Sequence, residues 1–98
     1  MVLHIGGNTV IHTKDIIGIF DIKTALKAPA TQEFVTIAKE EGFLENISQN
    51  PPKSLILATV DSKTKIYLSP ISSVTLFKRN KTGKVYLSDE EYNKGDMK

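Results

Sequence analysis

Side chains suited to chemistry are few in this chain, and they are scattered. His4 and His12 are its two histidines, and both sit in stretches that read as neighbouring strands of one hairpin, where they approach each other. Such a pair is half of a metal site. No cysteine and no H-x-x-x-H spacing supplies the remaining ligands, so the expected role is structural, half-buried and hydrogen-bonded. Ser69, Ser72 and Ser73 lack the G-x-S-x-G elbow of a hydrolase, and Ser69 before Pro70 reads as a helix cap. Gly6-Gly7 leads into a strand and does not complete G-x-G-x-x-G, which argues against a phosphate cradle. Glu40 and Glu41 are adjacent on a helix, so their carboxylates diverge and suit solvent better than acid–base work. No cofactor, metal or small-molecule substrate is expected, and the chain does not read as an enzyme, since 98 residues leave little room for a pocket.

Cations remain. Residues 53–84 hold seven (Lys53, Lys63, Lys65, Lys78, Arg79, Lys81, Lys84) against the one acid Asp61, whereas residues 28–52 hold Lys39 against Glu33, Glu40, Glu41 and Glu45. The net charge of +2 hides this asymmetry, which permits a local positive surface. Lys53, Lys78, Arg79 and Lys81 are the candidate phosphate contacts. Lysine meets phosphate as a flexible point charge, and only arginine also reads guanine edges. With Arg79 the single arginine, base reading by one subunit would be poor. The seven aromatics do not interleave with the basic residues as in a single-strand binder.

The elements that must position these residues follow from period and punctuation. "VLHI" at 2–5 and "TVIHT" at 9–13 read as strands around the Gly6-Gly7-Asn8 turn, and "IIGIFDI" at 16–22 as a third, giving a three-stranded antiparallel meander. Phe34, Ile37, Ala38 and Glu41 share one helical face with Val35 beside it, which predicts a helix near 30–41. Pro29 suits its first turn and Gly42 its C′ position. Glu40 and Glu41 lie at the wrong end of that helix for its dipole. "FLENISQNPPK" at 43–53 reads as a connection. "SLILATV" at 54–60 is apolar on both faces, as in a strand buried on both sides or in a subunit contact. "DSKTK" at 61–65 is a turn, "IYLS" at 66–69 a strand, and 70–79 a helix whose buried face is Ile71, Val74 and Phe77. Residues 80–84 form a turn, "VYLS" at 85–88 a short strand, and 89–98 an acidic tail.

The expected fold is α+β: a small β-β-β-α-β-β-α domain over residues 1–80, its antiparallel sheet covered on one face by two helices, with a partly mobile C-terminal extension at 81–98. The first fourteen residues carry too little basic and apolar character for a signal peptide, and no run approaches the ~20 residues of a membrane span. A cytoplasmic protein with no membrane contact is expected, and the absence of cysteine suits a reducing compartment.

"LHIGGNTVIHTKDIIGIFD" at 3–21 and "PPKSLILATVDSKTKIYLSPISSVTLFKR" at 52–79 resemble the Rem family of small bacterial extracellular matrix regulators, and its B-type members in particular. The carrying pieces are "HIG", "DIIGIFD", "PKS" and "YLSPISS-x-TL-x-KR". The resemblance implies a DNA-binding transcriptional regulator of biofilm matrix genes. It also implies a ring of identical subunits with a fold similar to LytTR-type DNA-binding domains, and DNA wrapped around the ring. A-type members place an arginine at the turn before the third strand and an arginine pair just before the fourth. Here those places read Thr13-Lys14-Asp15 and Asn50-Pro51-Pro52-Lys53, so Lys14 and Lys53 keep a positive charge where the arginines are missing. The expected partners are therefore DNA, met through Lys14, Lys53, Lys78, Arg79 and Lys81, and further copies of the chain in a ring. The alternative is an assembly or protein-interaction module that does not touch DNA, favoured by the missing arginines, the two-sided apolar strand and the acidic tail.

Overall fold

A computed structural model describes residues 1–79. The strand expected at 85–88, the tail, Lys81 and Lys84 lie outside the described residues. The chain runs β1 (Val2–Gly6), β2 (Thr9–His12), a 3-10 turn (Thr13–Asp15), β3 (Ile16–Asp21), α1 (Ile22–Ala25), α2 (Pro29–Glu41), β4 (Leu44–Asn46), β5 (Ser54–Val60), β6 (Lys63–Ser69) and α3 (Ser73–Arg79). Strands and helices are segregated as in an α+β domain, with one difference in layering from the expected arrangement.

The meander does not form. β1 and β2 pair only with each other, as a two-stranded antiparallel sheet, while β3 joins a separate four-stranded sheet of order β3-β5-β6-β4. The cause is local. The 3-10 turn at Thr13–Asp15, held by the Thr13 amide on the Met1 carbonyl at 3.0 Å, redirects the chain before β3 can pair with β2. β5 and β6 are the interior strands, and β5 runs antiparallel to both its neighbours. β4 pairs parallel with β6, so the sheet is mixed. This strand sits inside the stretch read as a connection. It is three residues long, with Glu45 and Asn46 exposed, and no alternation can mark so short an edge.

β5 carries the two-sided pattern expected of it. Ile56 and Ala58 enter one core with Leu3, Ile5, Ile11, Ile19 and Leu76 from the hairpin, β3 and α3. Leu55 enters a second core with Ala38 of α2 and Ile66 of β6. The helices therefore do not share one face of the sheet. The molecule is three layers: α2, the four-stranded sheet, then the β1–β2 hairpin with α3.

α2 begins with Pro29 at its first positions and ends at Gly42, whose φ of 86° is the left-handed conformation that glycine adopts at least cost. Its buried seam is Ala38 with half-buried Val35, whereas Phe34 and Ile37, which share a helical face with Ala38 in the sequence pattern, are exposed. α3 starts three residues later than expected. Ser72, not Ser69, caps it, accepting from the Thr75 amide at 3.2 Å. Its fully buried residues are Ser73 and Leu76, while Ile71 and Phe77 are partly buried against the core.

Candidate nucleic-acid interface

Ser69 has a different task from capping. It is fully buried and stands directly opposite Ser54 in the β5–β6 ladder. Its Oγ donates to the Ile5 carbonyl at 2.6 Å and accepts from the Ile71 amide at 3.0 Å. Ser54 Oγ donates to the Ile71 carbonyl at 2.8 Å. The facing serines thus tie the hairpin and the lead into α3 onto the end of the sheet. Beside them Gly6 (φ 129°) lies so close to Pro70 that a Cβ would sit 3.0 Å from the ring. Glycine is required there both by its backbone angle and by the approach of Pro70.

This joint fixes the main chain of the candidate cations. Lys53 directly precedes Ser54. Its amide donates to the Ser69 carbonyl at 2.8 Å and its carbonyl accepts from Ile22 at 3.1 Å, so a rigid backbone presents an exposed side chain. Lys78 and Arg79 form the last turn of α3, where cations are favoured by the helix dipole. Arg79 Nη1 donates to the His4 carbonyl at 3.3 Å, which seats the guanidinium against the hairpin. Lys14 is exposed in the 3-10 turn.

These residues do not gather into one cluster. Ile16 pairs with Ala58 and Asp21 with Ser54, so the turn holding Lys14 is at one end of the β3–β5 ladder and Lys53 at the other. At ~3.3 Å per residue, five or more residues of strand keep them on the order of 17 Å or more apart along the ladder. Lys78 and Arg79 lie in the hairpin layer. The only ion pair among the described residues is Lys65 Nζ with Glu45 Oε1 at 3.5 Å, so Lys14, Lys53, Lys78 and Arg79 have no carboxylate in contact there.

The histidines are not cross-strand partners. His4 faces Val10 and His12 faces Val2, which leaves the rings diagonal on the hairpin's outer face. Both are exposed, where half-burial is the expectation, and His4 Nε2 bonds the Gly7 carbonyl at 2.7 Å. No group of three or more His, Cys, Asp or Glu suited to a metal occurs among the described residues. An open groove of about 330 Å³ lies between α1, α2 and the sheet, walled by Phe20, Ala25, Ala28, Phe34 and Leu57. Its polar lining is Thr24 and Thr31, with no titratable group. Among the described residues no helix is long and apolar enough to cross a membrane.

The facing serines, the Arg79 bond to the hairpin and the groove are not evident in the sequence. The repeated placing of serine at a strand end, in "PKS" and "YLS", is the one signal that would have found the joint.

Comparison with known proteins bears on residues 2–79, which match the model of a family described as RemA-like, extracellular matrix regulatory protein A-like. The chain is also 39% identical over 79 residues to Extracellular matrix regulatory protein B of Bacillus subtilis (strain 168), across 81% of this chain and 89% of that protein.

Proposed function

The chain belongs to the RemA-like family of extracellular matrix regulatory proteins, and we propose that it regulates matrix genes by binding DNA as a ring-shaped homo-oligomer. The observation that carries this reading is the set of exposed cations on fixed backbone, Lys14, Lys53, Lys78 and Arg79, with no carboxylate in contact among the described residues. Lys81 joins the set from the sequence. Cations spaced along a subunit, with one arginine among them, suit contact with successive phosphates better than the reading of one base pair.

Assembly supplies the affinity. Each neutralised phosphate contributes about −0.9 to the slope of log K against log salt. Three or four contacts in one subunit bind feebly at physiological salt. The same contacts repeated around a ring act at high effective concentration and add to a steep dependence. Specificity then rests on how readily the DNA bends along the cationic surface. A cytoplasmic location follows from this role.

The test is a mobility shift of matrix-gene promoter DNA at several salt concentrations, with the wild type and with the Lys53→Ala and Lys78→Ala/Arg79→Ala variants. Wild type is expected to bind with a slope steeper than four contacts allow, and each variant to flatten it. No shift at low salt by the assembled protein overturns the DNA reading and leaves the assembly module.

A further inference from the structure

We infer that the chain completes its own main sheet: residues 85–88 pair as a further strand with the outer edge of β3 and lay Tyr86 into the groove between α1 and α2. The two edges of the β3-β5-β6-β4 sheet are not alike. β4 is three residues long and carries the exposed Glu45, and shortness and charge are two devices that keep an edge from pairing. β3 is six residues long, holds no lysine, arginine or proline, and leaves Ile17 44% exposed. Among the described residues it pairs with β5 alone. A register shift at Ile16–Gly18 blunts its start, but Ile19, Phe20 and Asp21 pair in step with β5, so a further strand meets regular backbone there. The groove adjoins this same half of the strand, since Phe20 is one of its walls, with Ala25, Ala28, Phe34 and Leu57.

Length, pattern and charge select this chain's own segment as the occupant. α3 starts at the Asp21 end of β3, where Ser54 holds the Ile71 carbonyl, and it packs against β3. Beyond Arg79, residues 80–84 are five, and they span up to roughly 17 Å, more than the ~10 Å between stacked layers. That is enough to bring the chain round the edge of β3. Val85, Tyr86 and Leu87 are of apolar, strand-forming character, and after Ser88 come Asp89, Glu90 and Glu91. Running back towards Asp21, parallel to β3, the segment delivers those acids to α1. There Lys23 and Lys27 are exposed and have no carboxylate in contact among the described residues. Strand alternation sets Tyr86 beside Phe20, over the groove of about 330 Å³, and sets Val85 and Leu87 on the α3 side, near the partly buried Phe77. A foreign peptide at this edge needs the same apolar-then-acidic order. The chain itself holds that order at high effective concentration.

The chain has no cysteine, so introduced pairs report the docking directly. In the full chain, Ser88→Cys with Ala25→Cys, both small residues on the groove side, is expected to be bridged by a short bis-maleimide within one chain. Mass spectrometry then shows a single-subunit mass with the two peptides joined. Ser88→Cys with Val10→Cys, the latter on the outer face of the hairpin beyond the sheet, is expected to give less than a tenth of that yield. Lys23→Glu with Lys27→Glu is expected to lower the Ser88–Ala25 yield at least fivefold. In hydrogen exchange without added cysteines, Tyr86→Asp is expected to speed the β3 amides not bonded to β5 at least tenfold and to leave Ile66 and Tyr67 unchanged. Equal yields for the two cysteine pairs overturn the inference, as do β3 amides that exchange as fast in the wild type as in Tyr86→Asp. A bridge that forms only between chains also overturns it and gives the edge to a second copy.

Discussion

Ser54 and Ser69 show how much one hydroxyl can determine. Both are fully buried and each satisfies a carbonyl of the overlying layer, but Ser69 also accepts the Ile71 amide. Removing a partner leaves a buried polar group unsatisfied, at a cost of about 1–3 kcal/mol. Ser69→Ala is expected near the top of that range and Ser54→Ala near the bottom, read as lowered urea midpoints at equal protein concentration and unchanged slope. Equal losses would mean that the second bond of Ser69 contributes nothing. At this scale the sequence is legible where a property is local. Pro29 and Gly42 announce the ends of α2, and Lys53 and Arg79 announce exposed charge. The serine pair is illegible because its meaning comes from partners 17 and 64 residues away.

Elements follow the same division. β5 is read correctly because a run of seven apolar and small residues has one sensible place, the middle of a sheet covered on both faces. The exposure of Ile37 cannot be read from the helix alone, since periodicity finds an apolar stripe without saying whether the subunit itself covers it. β6 begins earlier than its apolar residues, because Lys63, Thr64 and Lys65 pair with Val60, Thr59 and Ala58 through a two-residue turn. That turn holds Asp61 and Ser62 at φ 52° and 67°. Two positive angles have the hand of a type I′ turn, where glycine is preferred at the second position. Ser62→Gly is therefore expected to raise stability by about 0.5–1 kcal/mol, seen as a melting temperature several degrees higher. A lower melting temperature would show that this turn stores no strain.

At the scale of the whole molecule the α+β class is legible and the layering is not. Three consecutive strands with a glycine turn suggest a meander, because neighbours in sequence usually pair, and only the redirecting 3-10 turn sends β3 to β5 instead. The same division into two sheets has a consequence for motion. The hairpin belongs to the hydrophobic core, yet no strand of the main sheet extends its hydrogen-bond ladder. It is thus able to lift away as one cooperative unit without breaking the β5–β6 ladder. In hydrogen exchange, the amides of β1 and β2 are expected to exchange together and faster than those of Ile56 and Leu57. Uniform protection of both sheets would show a single unfolding unit. Each lifting bares Leu3, Ile5 and Ile11 along with the underside of the sheet, a sticky intermediate of the kind that aggregates.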